Sequence, residues 1–248
     1  MVEDGAAILD LGAESTRPGA RTVPLEEELA RLLPVLGGLR RATDAVLSVD
    51  TRKAAVARAA LELGADWIND VSGLRHDPAL AGAVAEAGAG LVLMHSRGEP
   101  ATMQRDPGYG DCLAEVAAEL LASVDAARAA GVAADRLLLD PGIGFGKRHE
   151  DNLALLHGLP TLRALGHPVL LGLSRKAVTA RLLDERDPPP PSERDQATLA
   201  LTAWCHGMGV SVHRVHRPGY AVQALRVLRG TGSGFPQASS TAAGDEPT

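Results

Sequence analysis

The chain has 248 residues and a formal charge of -6 at neutral pH with no block of Lys and Arg, which argues against nucleic acid as a partner because phosphate neutralisation needs a basic patch. Hydrophobic residues make up 45% but aromatics only 2%, so the core must come mainly from Leu, Val and Ala, and base-stacking surfaces are disfavoured. No apolar run approaches the roughly 18 residues of a membrane span, Glu3 and Asp4 stand where a secretory signal carries basic residues, and Cys112 and Cys205 are far apart and in no CxxC pattern; a cytoplasmic protein, off the membrane and without a disulfide or zinc framework, is expected.

Only the last few residues of a helix stand before the first strand-like run, ILDL at 8–11. Further runs rich in Val, Ile and Leu follow at 45–50 (AVLSVD), 67–71 (WINDV), 91–94 (LVLM), 137–140 (LLLD), 168–172 (PVLLG) and 210–215 (VSVHRV), giving seven candidate strands. Between them lie stretches with helical spacing, such as LEEELARLLPVLGGLRRA, RKAAVARAALELG and CLAEVAAELLASVDAARAAG, several ending at Gly. DPPPPSERD (187–195) cannot continue a helix and reads as a loop that ends in a cap, Ser192 or Asp195. Residues 230–248 are poor in large apolar side chains and read as a disordered tail, leaving residues 1–229 as one domain.

Strand and helix alternate throughout, as a parallel sheet requires. The polar clusters GAESTRPG, DTRK, NDVSG, HSRGEP, DPGIGFGK, SRK and HRP each follow a strand, so they gather at one end of the sheet. A doubly wound open sheet concentrates its chemistry around one switch point, whereas a (β/α)8 TIM barrel builds its site from the loops after every strand. The pattern favours the barrel.

DPGIGFGK is not a phosphate loop: three residues rather than four separate Gly142 from Gly146, and Arg148 replaces the Ser or Thr that would meet Mg2+. Asn69 shares strand parity with Trp67 and can face inward while Asp70 faces outward. Arg214 and His216 lie two apart on one strand and share a side, with His213 on the other. His95 in MHSRGEP has no second metal ligand at helical or strand spacing, and Met94 reads as a core residue. Taken alone, Asp50, Asn69 and Asp140 read equally well as caps or loop hydrogen bonders, SRK as a solvated helix start, and Arg17 as an exposed loop charge.

Six stretches together, LDLGAESTRPGA, SVDTRKAAVARAALELGADWINDVSG, LVLMHSRGEPATMQ, LLLDPGIGFGK, GLSRKA and VHRVH, resemble the dihydropteroate synthase family, which joins a pterin to p-aminobenzoate in folate synthesis. They occur in the family's order, and the resemblance runs from residue 1 to about 229. It implies a pterin-binding barrel, two small-molecule substrates (a pterin diphosphate and p-aminobenzoate), Mg2+ and a homodimer. By resemblance Asp50, Asn69, Met94, Asp140, Lys176 and Arg214 bind the pterin; Thr16, Pro18, Phe145 and Ser174 serve the aminobenzoate; and Thr16, Arg17, Arg214 and His216 hold the pyrophosphate. Lys176, Arg214 and His216 are the residues expected to carry catalysis.

The chain departs from the family at three places. The family starts with a strand and an Asn-bearing loop that ligates the metal; the present sequence has neither, so a barrel with seven visible strands and no protein ligand for Mg2+ is expected. Ala13 stands at a usual Gly, and RVHRP replaces RVHDV. Two rival readings follow: a pterin-binding paralogue without activity, and a methyltransferase acting on methyltetrahydrofolate.

Overall fold

The computed structural model describes residues 1–17, 19–184 and 186–231. Pro18 and residues 232–248 of the expected tail lie outside the described residues, whereas Gly230 closes the last helix and Thr231 caps it.

The chain runs β1 (Ile8–Gly12), α1 (Leu25–Ala42), β2 (Val46–Asp50), α2 (Ala54–Glu62), β3 (Trp67–Asp70), α3 (Ala79–Ala87), β4 (Gly90–Met94) and α4 (Cys112–Ala129). It continues through β5 (Leu137–Asp140), α5 (His149–His157), α6 (Leu159–Arg163), β6 (Leu170–Leu171), α7 (Ala177–Leu183), α8 (Asp195–Gly207), β7 (Val212–His213) and α9 (Pro218–Gly230). Strands β1 to β5 form one parallel sheet in sequence order, and β6 pairs parallel with β7. A bridge between Leu139 and Val169 joins the two, helped by Leu139 N donating to Pro168 O at 3.0 Å. The architecture is that of an α/β TIM barrel with seven strands among the described residues, and among these no pairing joins β7 to β1.

The last two strands are shorter than their apolar runs suggest. Among the described residues β7 has a ladder on its β6 side only, and Arg214 N, just past it, still donates to Leu171 O at 2.9 Å. The cap expected before α8 also differs. Arg194 is the N-cap, without a side-chain bond, and the Asp195 carboxylate is taken by Arg175 and Arg217.

Side-chain parity divides the strands into two faces. Leu47, Val49, Ile68, Leu91, Leu93, Leu137, Leu139 and Leu171 are buried with residues of the surrounding helices such as Leu36, Val56, Leu80 and Val116. Val92, Leu138 and Leu170 turn the other way and pack with Trp67 and Val212 into an inner apolar floor; burying each such aliphatic side chain contributes about 1.5–3 kcal/mol. Gly90 belongs to that floor by its lack of a side chain, since a Cβ there would stand 2.2 Å from the Trp67 indole. Above the floor, a cavity of about 310 Å3 opens between the edges of β1 and β7, lined by Ile8, Asp10, Asn69, Val212, Arg214 and, from α9, Leu225.

Candidate active site

Two residues beyond each floor position, with the same parity, comes a residue at the carboxyl end of the strand. These are Asp10 after Ile8, Asp50 after Ser48, Asn69 after Trp67, Met94 after Val92, Asp140 after Leu138, Gly172 after Leu170 and Arg214 after Val212. The interior therefore changes from mostly apolar, Ser48 aside, to mostly polar, Met94 and Gly172 aside, over two residues. A Cβ at Gly172 would already touch Arg214 and Lys176, so any longer side chain would displace one of them. Asp70, of opposite parity, turns away; its carboxylate accepts from Ser72 N, Ser72 Oγ and Leu74 N and fixes the turn after β3.

Three oxygens of this ring, Asp10 Oδ1, Asp50 Oδ1 and Asn69 Oδ1, are buried and accept no hydrogen bond. Buried acceptors of this kind are costly unless a ligand meets them. The other oxygens of the two aspartates hold Arg214: its Nε donates to Asp10 Oδ2 at 2.6 Å and its Nη2 to Asp50 Oδ2 at 3.3 Å. Burial, with the Asp10 carboxylate next to it, pushes the Asp50 carboxyl up to about 8 against the opposing pull of Arg214. Asp140 is raised by burial as well, and its Oδ1 accepts from Gly142 N at 2.7 Å. Burial works against the charge of Arg214, but Asp10 and Asp50 outweigh it and hold the guanidinium protonated. Asp10 was not singled out from the sequence, although the parity that selects Asn69 also selects it: Leu9 and Leu11 pack on the outer core and leave Asp10 facing in.

Lys176 is the N-cap residue of α7, and its ammonium reaches back into the barrel, donating to Ile143 O at 2.7 Å and lying 4.6 Å from the centre of the Phe145 ring. Burial, aided by Arg214, lowers it to about 8, while Asp140 and Asp50 pull the other way. Lys176 thus joins the polar ring to the loop of Phe145.

His216 and Ser174 meet beyond the ends of β7 and β6, with Ser174 Oγ 2.8 Å from His216 Nδ1. The imidazole is held below its ordinary range by burial and then by the charges of Arg175, Arg17 and Arg214. His213 faces away, its ring 5.9 Å from that of His206 in α8. Arg217, the residue that departs from the family pattern, pairs with Asp195 at 3.2 Å. Thr16 lies elsewhere on the rim, sharing with Phe145 and Arg52 a crevice of about 190 Å3. Thr16 and Phe145 are thus together, while Ser174 keeps company with His216.

The loop bearing Thr16 and Arg17 has a buried footing that the sequence reading overlooked. Glu14 accepts from Arg52 at 3.2 Å and from Lys53, Lys53 also pairs with the fully buried Glu28, and Arg52 reaches Glu99 at 3.0 Å. Gly19 N donates to Pro100 O at 2.8 Å, so the loop leans on the segment after β4. His95, the other residue considered for chemistry, is buried outside the ring. Its Nε2 lies 3.0 Å from Glu119 Oε2 and its Nδ1 3.0 Å from Lys147 Nζ, and burial together with Lys147 lowers it to about 2, a neutral imidazole.

Comparison with known proteins shows the family. Residues 1–216 match the family described as pterin binding enzyme. The dihydropteroate synthase of Mycobacterium leprae is 49% identical over 92% of this chain and 81% of its own length, and that of Synechocystis is 45% identical over 87% and 74%. Among solved structures, the Thermus thermophilus dihydropteroate synthase in complex with 4-aminobenzoate superposes with a TM-score of 0.85 at 46% identity, covering 92% of this chain and 86% of the other. The Yersinia pestis dihydropteroate synthase with a sulfonamide drug complex gives 0.88 at 38% identity, covering 93% and 82%. The chain therefore belongs to the pterin-binding enzyme family and, within it, to the dihydropteroate synthases.

Proposed function

We propose that this chain condenses 6-hydroxymethyl-7,8-dihydropterin diphosphate with p-aminobenzoate to give 7,8-dihydropteroate and pyrophosphate, and that the polar ring holds the pterin. The observation that carries the residue assignment is the set of unpaired buried oxygens on Asp10, Asp50 and Asn69. A pterin offers an amino group and a ring N–H, donors that match these unmet acceptors, and Asp140 adds a fourth acceptor. Met94 supplies an apolar face beneath the ring.

The bond between the pterin methylene carbon and the diphosphate oxygen breaks with its electron pair on oxygen. Charge builds on the leaving group, which we assign to Arg17 and Arg214 as cations and to the neutral His216 as a hydrogen-bond donor; preorganised donors act most strongly on charge that develops in the transition state. The electron-poor methylene is left conjugated to a ring whose positive charge Asp50 and Asp140 face. The aminobenzoate amine then forms the carbon–nitrogen bond and releases one proton, with Phe145 and Lys176 beside its ring and Thr16 and Ser174 on the rim. No covalent enzyme intermediate is needed.

Mg2+ enters this proposal with the diphosphate. Among the described residues no group of three or more His, Cys, Asp and Glu side chains could hold a metal, and the inward carboxylates Asp10 and Asp50 already face Arg214. Mg2+ is commonly held by substrate phosphates with few protein ligands, so no step is assigned to a protein-bound ion. A homodimer is part of the same reading, for which the exposed Leu182 and Leu183 of α7 and Tyr220 and Val227 of α9 offer an apolar surface. So is a cytoplasmic setting, where the buried free thiols of Cys112 and Cys205 would stay reduced. No helix of the described residues is long and apolar enough to cross a membrane.

The test is pyrophosphate release with Mg2+, run with both substrates and with each alone, and mass identification of the product. Release that requires both substrates and yields dihydropteroate is expected. Release that is indifferent to p-aminobenzoate, or none in a chain that binds pterin, would overturn the synthase reading.

A further inference from the structure

The glycine-rich loop after β5 presents an unusual problem of support. Gly142, Gly144 and Gly146 all have positive φ, at 66°, 84° and 57°, so alternate residues of the loop carry no side chain with which to restrict it. Yet this loop supplies two contacts to the site, the Phe145 ring and the Ile143 carbonyl that receives Lys176. Its conformation must be imposed from outside.

Lys147 does this from the far side. The residue is 3% exposed, and its three N–H donors are shared among four acceptors, Gly142 O at 3.0 Å, His95 Nδ1 at 3.0 Å, Phe145 O at 3.1 Å and His95 O at 3.3 Å. Gln104 holds Gly144 O at 2.9 Å, and Tyr109 holds Gly146 O at 3.0 Å, but each of these grips one carbonyl while Lys147 grips two of the loop and ties them to the segment after β4. The fit between the two segments is close: a Cβ at Gly142 would stand 1.8 Å from His95 O, and one at Gly146 2.6 Å from Arg97 O. The neutral His95, donating from Nε2 to Glu119, has Nδ1 free to accept from the ammonium. Lys147 touches none of the ring residues Asp10, Asp50, Asn69 or Arg214 through any of these bonds.

We propose that Lys147 is a positioning residue for the aminobenzoate subsite, setting the place of the Phe145 ring and of the Ile143 carbonyl by chelating the loop's backbone. The role rests on the synthase reading for its kinetic consequence, though not for its structural one. Burial lowers Lys147 to about 7, and the group offers N–H donors to the carbonyls in either protonation state. If Lys147 only filled the core, its loss would lower stability and affect both substrates alike.

The experiment uses Lys147→Met, which is unbranched and one atom shorter, and removes every donor. Misplacing a group by about 1 Å can cost on the order of 100-fold, so the KM for p-aminobenzoate is expected to rise about 10- to 100-fold, with the affinity for a pterin changed less than about twofold. The chain has only two phenylalanines, Phe145 and Phe235, so 4-fluorophenylalanine labelling gives two fluorine NMR signals, which Phe145→Leu assigns. The Phe145 signal should shift or broaden in Lys147→Met. Equal losses for both substrates, or an unmoved Phe145 signal, would overturn the proposal. Should the methionine variant fail to fold, Lys147→Gln, which keeps two N–H donors on a shorter side chain, should show the same selective rise in the KM for p-aminobenzoate to a smaller extent, and equal losses for both substrates would again overturn the proposal. A moved Phe145 signal in a protein that makes no dihydropteroate would uphold the positioning role and count against the synthase reading alone.

Discussion

Asp50→Asn is expected to cut turnover by about 100- to 1000-fold and at the same time to make the unliganded protein more stable in alkaline solution. The carboxyl is raised from 3.8 to about 8, chiefly by burial and then by Asp10. Between those values the folded chain holds a proton that the unfolded chain has lost, so unfolding becomes easier as pH rises from about 4, and the full penalty is reached above about 8. Asparagine carries no such penalty, though Arg214 loses one of its two partners. One pKa unit corresponds to about 1.4 kcal/mol. Allowing for the lost ion pair, a net gain of about 2 kcal/mol at pH 9 is expected, or about 4–8 °C in Tm. Thermal melting from pH 5 to 9 checks it: the wild-type Tm should fall faster with pH than that of the variant. Parallel profiles would show that Asp50 is already ionised at neutral pH in the unliganded protein.

Lys176→Ala and Arg214→Ala should both lower kcat/KM by about 100- to 1000-fold, but for different reasons. Lys176 stands between Ile143 O and the Phe145 ring and is attracted by Asp140, so its loss should raise the KM for p-aminobenzoate and weaken pterin binding. Arg214 is paired with Asp10 and Asp50 and is proposed to meet the pyrophosphate, so its loss should reduce inhibition by added pyrophosphate about tenfold or more and leave the aminobenzoate KM within about twofold. Initial rates with each substrate varied, with and without pyrophosphate, separate the two. An Arg214→Ala enzyme that loses pterin affinity yet keeps all its pyrophosphate dependence would reverse these roles.

Much of the site was legible because strand parity and motif order are written directly in the sequence. Asn69 and Arg214 face inward by the alternation of their strands, Asp50 and Asp140 end strands as their motifs imply, and the apolar runs mark the barrel. The same alternation applied to ILDLG would have found Asp10, which passed unnoticed because a single acid in an apolar run carries no motif of its own. Lys147 was read only as the end of a failed phosphate loop. Its role depends on carbonyls of residues up to 52 positions away, and no local pattern encodes such contacts. Glu14 and Glu28 were missed for a related reason, since a buried acid paired with Arg52 and Lys53 looks in sequence like any surface charge. The short β6 and β7 were misjudged because a strand's length depends on its neighbours as well as on its own apolar run. The methyltransferase rival falls with the family match, which lies with the synthases.

The central claim, that the ring of inward acceptors is a pterin site, is tested most directly by calorimetric titration with a pterin in the presence of pyrophosphate, comparing wild type with Asp140→Asn. This variant keeps an oxygen to accept from Gly142 N, a bond of 2.7 Å in the wild type, and so preserves the loop while replacing the other oxygen with a donor. Loss of one acceptor that leaves a buried ligand donor unmet costs about 1–3 kcal/mol, so pterin affinity should fall about 5- to 150-fold with Tm little changed. A binding curve identical in the two proteins would contradict the assignment of the site.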